Sequence, residues 1–321
     1  MTAEPLEIYL EQRDVERGLR QDVRTGLTAE PKWLPPKWFY DSRGSELFEE
    51  ITRLPEYYPT RAERAVLARH AADIAALTGA KTLIELGSGS SEKTRLLLDA
   101  FASRGGLGTF VPLDVSASAL LGSTARIAAD YPGLRVRGIV GDFTRQLDRL
   151  PTGGRRLVVF LGGTIGNLLP AERAEFLAAM RAALEVGDWL LLGTDLVKDP
   201  SVIVPAYDDA AGVTAEFNRN VLRVINRELG ADFDPEAFAH IALWDPEREW
   251  IEMRLRATRA MTVRVLDLAV EFAVGEELRT EVSAKFRPAG IAAELDTAGF
   301  AATEFWTDPD GLFGVTLARA R

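Results

Sequence analysis

The chain has 321 residues, which is enough for one large domain or two of moderate size. Its formal net charge of −10 argues against a nucleic acid substrate, because an acidic surface repels a polyanion. Cysteine is absent, which excludes disulfides, zinc–thiolate sites and a cysteine nucleophile. The apolar runs are of strand length, and the first ten residues carry Glu4 and Glu7 rather than an apolar leader. We therefore expect a cytoplasmic protein without a membrane partner.

The first quarter of the chain predicts two helices separated by a loop. Residues 6–27 have the composition of a helix, and Pro31, Pro35 and Pro36 prevent its continuation. An aromatic group follows at positions 38–40, 48, 57 and 58. Thr60 and Glu63 fit a T-x-x-E capping box, which predicts a helix from there to about residue 77.

From residue 81 onward, short apolar runs alternate with amphipathic segments. Strands are predicted at 81–86, 110–113, 135–140, 157–161 and 189–193. Helices are predicted at 92–101, 116–129 and 171–184. This alternation is typical of a parallel sheet with helices on both faces.

The pattern changes after residue 195. A predicted helix at 207–229 precedes antiparallel strands at 249–256 and 261–272. The apolar residues of the second strand change register midway, which predicts a β-bulge. A helix at 288–298 and two strands at 300–306 and 312–318, joined by a turn rich in Asp, Pro and Gly, predict a final reversed hairpin.

The strongest local motif is I-E-L-G-S-G-S-S-E-K-T at 84–94, between a predicted strand and a helix. Glycines at such a turn let the backbone approach a ligand, and the helix start offers free N–H groups to an anion. A nucleotide P-loop is rejected, because Glu92 would face the phosphates just before Lys93. A dinucleotide site would need a third glycine, which is absent from this loop. Its ribose-binding acid would lie about 20 residues further on, whereas Asp114 lies 27 residues after Gly87. A nicotinamide oxidoreductase stays open as an alternative.

A third interpretation is a binding loop for S-adenosylmethionine. Glu85 is placed to attract the amino group of that donor, and Gly87 and Gly89 shape the turn around its carboxylate. Asp114 ends the second strand and can accept both ribose hydroxyls. Asp142 and Phe143, after the third strand, can bind the adenine amino group and cover the ring face. Ligands of open α/β sheets lie at these carboxyl ends of strands. Each aspartate taken alone has the alternative role of capping a helix or a turn.

Longer motifs give the chain a specific resemblance. They are L-P-P-K-W-F-Y-D at 34–41, L-F at 47–48, I-T-R-L-P-E-Y-Y-P-T-R at 51–61, E-L-G-S-G at 85–89, L-V-V-F-L at 157–161, T-I-G-N-L at 164–168, L-G-T-D-L-V-K-D at 192–199, Y-D-D-A-A-G-V-T at 207–214, F-N-R-N at 217–220 and E-V-S at 281–283. Across nearly its whole length the chain resembles the actinobacterial family of histidine-specific N-alpha-methyltransferases of ergothioneine biosynthesis. The resemblance implies the transfer of three methyl groups to the alpha-amino nitrogen of L-histidine, which gives hercynine and S-adenosyl-L-homocysteine.

The resemblance also implies roles for individual residues. Those implied to hold the donor are Gly87, Lys93, Asp114, Asp142 and Phe143. Asn167 and Tyr207 are implied to bind the histidine carboxylate. Those implied to bind the imidazole are Tyr57, Glu281 and Ser283. Those implied to line the pocket are Tyr40, Phe48, Gly162, Thr164, Thr214 and Met253.

The chemistry of imidazole supports two of these roles independently. Glu281 and Ser283 are two residues apart, so on a strand both side chains point to one face and can reach one ring N–H together. The other ring nitrogen is left for a phenol such as Tyr57, which can donate or accept. Without the resemblance, a solvated strand carboxylate would be the leading interpretation of Glu281, and the aromatic residues would be equally consistent with a core.

Methyl transfer from a sulfonium needs a neutral amine held in line with the methyl group, so we expect positioning to dominate catalysis. No dedicated base can be named from the sequence. A water relay through Tyr40 or through carbonyl groups of the pocket is a hypothesis. Gly162 and Thr164 are small enough to leave room for added methyl groups. The two histidines, His70 and His240, are expected to pack rather than to catalyse. No metal is expected.

We therefore expect an α/β fold with two domains. Residues 61–195 and 286–321 would form a Rossmann-like methyltransferase domain, whose seven-stranded sheet ends in the reversed hairpin. Residues 1–60 and 196–285 would form an α+β substrate-binding domain. The substrate would be histidine and its mono- and dimethyl forms, bound by a monomer. Two rival hypotheses are a methyltransferase of the same fold acting on another amino acid or amine, and a non-catalytic S-adenosylmethionine-binding regulator.

Overall fold

The structure is a computed structural model that describes residues 4–89 and 91–321. Its residues group into two compact units. The first unit contains residues 4–11, Pro59–Leu196 and Phe286–Arg321, and the second contains Gln12–Tyr58 and Val197–Lys285. Within the described ranges, no helix combines the length and the apolar character needed to cross a membrane.

The helices and strands of the described residues are numbered here in chain order. The α-helices are α1 (Gln12–Leu27), α2 (Ser42–Ile51), α3 (Pro59–Thr78), α4 (Thr94–Ser103), α5 (Ala117–Asp130), α6 (Pro170–Ala183), α7 (Pro200–Ile203), α8 (Val213–Leu229) and α9 (Pro288–Thr297). The strands are β1 (Glu7–Ile8), β2 (Thr82–Leu86), β3 (Thr109–Asp114), β4 (Arg135–Val136), β5 (Ile139–Val140), β6 (Arg156–Phe160), β7 (Trp189–Asp195), β8 (Phe238–Asp245), β9 (Trp250–Ala257), β10 (Met261–Val265), β11 (Leu268–Phe272), β12 (Glu277–Ala284), β13 (Phe300–Thr307) and β14 (Phe313–Ala320).

The first unit is built on one large sheet with the order β1-β5-β3-β2-β6-β7-β14-β13, in which β4 also pairs with β3. The pairs from β1 to β7 are parallel, whereas β14 is antiparallel to both β7 and β13. The predicted parallel sheet with a reversed final hairpin is therefore confirmed. The expected number of seven strands is wrong, because nine strands of the described residues form this sheet. Nearly continuous burial of β2 and β6 explains their apolar sequences, because helices cover both faces of such strands.

The core of the first unit surrounds α3 and the central strands. Val66, Leu67 and Ile74 of α3 pack in one buried cluster with Leu83 of β2 and Phe110 of β3. All five side chains are fully buried, and each such burial contributes about 1.5–3 kcal/mol relative to exposure. This packing holds the central strands, and with them the loops that follow their carboxyl ends.

One edge of the sheet differs from the prediction. The expected strand at 135–140 is broken at Gly138 into β4 and β5, and the expected helix at 6–27 begins only at Gln12. The residues before that helix form β1, in which the Glu7 N–H donates to the Gly138 carbonyl at 3.0 Å. The Glu7 carboxylate also pairs with Arg137. Residues 4–11 therefore belong to the first unit, although the sequence assigns them to the second domain.

The second unit combines helices with two small antiparallel sheets, of order β12-β9-β8 and β10-β11. Helix α8 packs against α2, β8 and β9. The expected helix at 207–229 begins at Val213, because both carboxylate oxygens of Asp209 accept backbone N–H groups of the first turn, from Val213 at 3.0 Å and from Thr214 at 2.7 Å. This cap fixes where the long helix starts.

The predicted strand at 261–272 is wrong. Its register change marks a chain reversal rather than a bulge, since Val265 of β10 pairs directly with Leu268 of β11. Leu266 begins the two-residue turn with a φ of 56°. Two-residue hairpins need such a left-handed residue, which glycine or asparagine usually supplies. Here the only familiar turn residue is Asp267, at the second position of the turn.

Candidate active site

The loop after β2 has the backbone conformation that its glycines predict. Gly87, Gly89 and Ser91 all have positive φ values, of 66°, 47° and 54°. The Gly87 N–H donates to the Leu113 carbonyl at 2.8 Å, so the loop is tied to the end of β3. Left-handed residues at alternate positions turn the chain tightly and leave its backbone accessible to a ligand.

Asp114 lies at the end of β3, beside this loop. One carboxylate oxygen accepts the Gly89 N–H at 2.9 Å, and the other accepts the Ser116 N–H at 2.9 Å. The aspartate thus caps a turn and also holds the loop. A carboxylate has about four acceptor positions, so each oxygen retains one for a ligand hydroxyl.

Asp142 and Phe143 follow β5. One Asp142 oxygen accepts both the N–H and the hydroxyl of Thr144, at 2.8 and 2.6 Å. The Phe143 ring packs on Phe160 with ring centroids 5.0 Å apart. Its edge lies 3.9 Å from the position that a Cβ at Gly87 would occupy. The structure therefore brings Gly87, Asp114 and Phe143 together at the carboxyl end of the sheet.

Glu85 is buried beneath the loop. Its carboxylate accepts the Ser91 hydroxyl at 2.9 Å and also the Thr94 hydroxyl. Burial raises the pKa of Glu85 to about 7, against the opposing effect of the hydrogen bonds from Thr94 and Ser91. Both oxygens hold the loop and the start of α4, and a direct contact of Glu85 with a donor amino group stays a prediction.

Two features of the loop fit the predicted donor. The Ser88 hydroxyl is buried and has no hydrogen-bond partner among residues 4–89 and 91–321. A Cβ placed on Gly89 would meet open space, with no described heavy atom within 4 Å. An unsatisfied buried hydroxyl and an open left-handed turn are what a ligand with a carboxylate and hydroxyls would use.

Lys93, at the start of α4, pairs with Glu63 of α3. The other oxygen of Glu63 accepts the Gly162 N–H at 2.7 Å, and Glu63 is fully buried. The capping box predicted for Thr60 and Glu63 is therefore wrong. Helix α3 begins already at Pro59, and the Glu63 side chain points into the unit instead of back to the helix start. The local sequence pattern predicted a capping role for Glu63 and gave no sign of its long-range contacts.

The turn after β6 presents the remaining residues expected in this unit. Gly162 and Gly163 have φ values of 80° and 68° and lead into a 3₁₀ turn at Thr164–Asn167. The Thr164 hydroxyl donates to the Leu161 carbonyl at 3.1 Å. Because β6 is the neighbour of β2 in the sheet, this turn lies at the same edge as the glycine loop.

In the second unit, β12 and β9 carry three of the expected residues. Glu281 lies opposite Met253, and Ser283 lies opposite Ile251. Residues directly opposite one another, and residues two apart on one strand, share a face of the sheet. Glu281, Ser283 and Met253 therefore lie on one face, as the spacing predicts.

Ser283 belongs to a buried polar cluster with Tyr207 and Lys285. The Tyr207 hydroxyl donates to the Ser283 oxygen at 2.8 Å. The Lys285 ammonium donates to both hydroxyl oxygens, at 2.8 Å to Tyr207 and 2.9 Å to Ser283. The sequence interpretation missed Lys285. Its only signal was its position two residues after Ser283, just past the end of β12.

An aromatic cluster joins the other expected residues of this unit. The Phe48 ring contacts Tyr40 and Tyr57, with centroid distances of 5.6 and 6.1 Å. Phe217 of α8 adds contacts to Tyr40 and Phe48 at 5.5 and 6.0 Å. Phe217 was not among the predicted site residues, although it opens the quoted F-N-R-N motif. Thr214 lies three residues earlier, on the same side of α8.

His240 has the packing role that the sequence predicts. Its Nε2–H donates to the Tyr207 carbonyl at 2.7 Å, and its Nδ1 accepts from the Asn218 amide at 2.8 Å. Burial lowers the pKa of His240, against the raising effect of the Tyr207 carbonyl, so the ring stays neutral. His70 stacks on Trp306 with a centroid distance of 5.1 Å. Both histidine rings therefore have packing roles.

A parallel sheet with a reversed final hairpin, and a glycine loop flanked by carboxylates on successive strand ends, define the class of S-adenosylmethionine-dependent methyltransferases. The sequence comparison gives the particular family. Residues 19–320 match the family described as histidine-specific, S-adenosylmethionine-dependent methyltransferases, and the chain belongs to that family. The family resemblance and the methyl donor predicted from the sequence are thereby confirmed.

Similar proteins include two from mycobacteria. The chain is 59% identical over 312 residues to the Histidine N-alpha-methyltransferase of Mycolicibacterium smegmatis, and this alignment covers 97% of each chain. It is 58% identical over 303 residues to the protein of that name from Mycobacterium tuberculosis, which covers 94% of each. It is also 32% identical over 260 residues to Ergothioneine biosynthesis protein 1 of Neurospora crassa, which covers 74% of this chain and 30% of the relative.

Proposed function

We propose that this protein transfers three methyl groups from S-adenosyl-L-methionine to the alpha-amino nitrogen of L-histidine. The product is hercynine, and the reaction is the first step of ergothioneine biosynthesis. The observation that carries this proposal is the match of residues 19–320 to a family described as histidine-specific. Identity of 59% over 97% of the chain to a Histidine N-alpha-methyltransferase supports it.

In this proposal the loops of the first unit bind the donor. Bound there, the donor supplies an electrophilic methyl group on its sulfonium and leaves as S-adenosyl-L-homocysteine. Asp114 binds both ribose hydroxyls through the acceptor positions that its backbone bonds leave over. Asp142 binds the adenine amino group and Phe143 covers the ring. The remaining residues that we assign to the donor are Glu85, Gly87, Gly89 and Lys93.

The imidazole is bound by side chains of the second unit. Ser283 already accepts hydrogen bonds from Tyr207 and Lys285, which use both of its lone pairs. The hydroxyl hydrogen of Ser283 therefore remains available as a donor. The imidazole N–H donates to the Glu281 carboxylate instead. Tyr57 binds the second ring nitrogen. A pocket that pairs both ring nitrogens rejects side chains that lack them, because its own polar groups would stay unpaired.

The amino and carboxylate groups need different surroundings. We assign the histidine carboxylate to Asn167 and Tyr207. The Tyr207 hydroxyl donates to Ser283 in the structure, and in this proposal it turns to donate to the carboxylate when histidine binds. The residues that line the remaining pocket are Tyr40, Phe48, Gly162, Thr164, Thr214 and Met253. Glycine and threonine next to the nitrogen leave room for methyl groups already added, and the faces of the aromatic rings stabilise the fixed positive charge of the product.

Catalysis in this proposal rests on positioning. The amine must be neutral and about 3 Å from the methyl carbon, and a held geometry supplies most of the rate enhancement. We assign no residue as a dedicated base. The ammonium protons leave through a water relay that includes the Tyr40 hydroxyl, and Tyr40 is 43% exposed, so water has access to it.

The test is a set of incubations of the purified protein with methyl-deuterated S-adenosylmethionine and each of the twenty amino acids, analysed by mass spectrometry. Histidine alone should gain one, two and finally three labelled methyl groups. A labelled product from another amino acid, and none from histidine, would favour the rival substrate. Donor binding without any methylated product would favour the regulator.

The predicted substrate is a small molecule, in agreement with the family. The monomeric state, the absence of nucleic acid and membrane partners, and the cytoplasmic location stay predictions. Light scattering on the purified protein and fractionation of the source cells check the first and the last of these.

A further inference from the structure

Glu63 connects three segments of the first unit. Its side chain leaves α3 and is completely buried. One carboxylate oxygen accepts the Gly162 N–H at 2.7 Å, and the other pairs with the Lys93 ammonium. Gly162 follows β6, and Lys93 ends the loop after β2. One carboxylate thus touches both loops at the carboxyl edge of two neighbouring strands.

The backbone of β7 makes room for this carboxylate. A Cβ at Gly193 would overlap the Glu63 oxygen and would lie 3.2 Å from the Phe313 ring. Burial of a carboxylate is unfavourable unless the charge is paired and hydrogen-bonded. A glutamate that only capped the helix would remain in water. A role at the start of α3 therefore does not explain why the Glu63 carboxylate is buried and paired with Lys93.

We propose that Glu63 is a positioning residue of the donor site, which orients the Lys93 ammonium and the Gly162 N–H. This inference rests on the proposed function, in which Lys93 belongs to the donor site and Gly162 lines the pocket. A lysine ammonium has three N–H donors, so the bond to Glu63 leaves two for the donor.

The geometry shows how Glu63 acts through Lys93. The ammonium nitrogen lies 3.8 Å from the position that a Cβ at Gly162 would occupy. Without Glu63, the flexible four-carbon stem would sample several rotamers, and the Lys93 side chain is 26% exposed. The glutamate holds one arrangement before the donor arrives, which removes that ordering cost from binding.

The test is a double-mutant cycle on the binding of S-adenosylhomocysteine, measured by calorimetry. Glu63→Gln and Lys93→Met should each weaken binding about tenfold, the loss of one charged hydrogen bond. The double variant should bind within about twofold of Lys93→Met. The glutamine amide oxygen can still accept the Gly162 N–H, so the loss caused by Glu63→Gln acts through Lys93. In steady-state assays Glu63→Gln should raise the KM for the donor and leave the KM for histidine unchanged.

The matched control is Asp188→Asn. Asp188 is also a buried carboxylate, paired with Arg156 at the opposite ends of the strands. Its substitution should lower the melting temperature and leave the affinity for S-adenosylhomocysteine unchanged. Gly193→Ala is a second variant, which displaces the Glu63 carboxylate without removing its charge, and it decides the question if Glu63→Gln does not fold. It should weaken binding as Glu63→Gln does.

Two results would overturn the inference. One is unchanged affinity in Glu63→Gln or, where that variant does not fold, in Gly193→Ala. The other is a double variant in which the two single losses multiply. Failure of the unchanged protein to bind S-adenosylhomocysteine would instead refute the proposed function.

Discussion

The two units assemble their predicted ligand residues in different ways. In the first unit the donor residues follow successive strands in chain order, from Glu85 to Phe143, and backbone N–H groups fix the carboxylates of Asp114 and Asp142. In the second unit the residues come from segments as distant as Tyr40 and Ser283, and side chains fix one another. One set is placed by the topology of the sheet, the other by contacts between side chains.

This difference has a consequence for substitutions. A backbone scaffold keeps its shape when one side chain changes, so single changes in the donor set should have moderate effects. A polar cluster such as Tyr207, Ser283 and Lys285 leaves buried groups unpaired when one member is lost. We therefore expect the largest single effect at a polar residue of the second unit.

The largest expected effect is that of Glu281→Leu. Loss of the carboxylate leaves an imidazole N–H unpaired, and we expect kcat/KM for histidine to fall about a thousandfold. Binding of S-adenosylhomocysteine should be unchanged, because its residues belong to the other unit. Glu271→Leu, an exposed position on β11, is the control and should keep full activity. Unchanged histidine turnover in Glu281→Leu would refute the assignment.

The second effect concerns the pH dependence of stability in the first unit. Because the pKa of Glu85 is raised to about 7, the folded state binds this proton more tightly than the unfolded state does. The stabilisation that comes from protonated Glu85 is complete below the pKa of this residue in the unfolded state. It is lost as the pH rises through about 7, and the total loss of unfolding free energy is about 3 kcal/mol. Urea unfolding of Glu85→Gln should show a flatter pH profile between pH 5 and pH 8.

The exposed neighbour Glu92 provides the control for this measurement. Glu92→Gln should reproduce the pH profile of the unchanged protein. Profiles of equal slope for Glu85→Gln and the unchanged protein would mean that Glu85 titrates normally.

A smaller effect is expected for Asp114→Asn. The amide oxygen can still accept one backbone N–H, but its NH₂ group replaces an acceptor of a ribose hydroxyl. We expect S-adenosylhomocysteine to bind about tenfold more weakly, as calorimetry can measure. Asp130→Asn, which removes a surface pair with Arg95, should bind normally. Equal affinities of the two variants would remove Asp114 from the donor site.

The smallest effect is expected for Tyr40→Phe. The ring contacts with Phe48 and Phe217 are kept, and water can replace the hydroxyl in the relay, so kcat should fall only about threefold. Tyr9→Phe, which removes an exposed hydroxyl bonded to Glu7, is the control. Identical rates of Tyr40→Phe and the unchanged protein at every pH would contradict the relay.

The sequence predicts the first unit well, because its signals are local. Apolar runs mark β2, β3, β6 and β7, and the glycine loop marks the end of β2. The break at Gly138 and the pairing of β1 were not predictable, because they depend on contacts between residues about 130 positions apart. Glu63 was assigned to a cap for the same reason, since its partners lie far along the chain.

In the second unit the sequence predicts less. The paired positions of Glu281 and Ser283 follow from strand geometry, but Lys285 and Phe217 join their clusters only through tertiary packing. The turn Leu266-Asp267 contains neither glycine nor asparagine, so the hairpin β10–β11 was missed. The family resemblance supplied the roles that local patterns could not.

The most direct test of the account is a crystal structure with S-adenosylhomocysteine and histidine both bound. We predict that a ring nitrogen of the histidine lies within hydrogen-bond distance of the Glu281 carboxylate, and that both ribose hydroxyls reach Asp114. A histidine ring remote from Glu281, or a ribose remote from Asp114, would contradict the residue roles on which the proposed function depends.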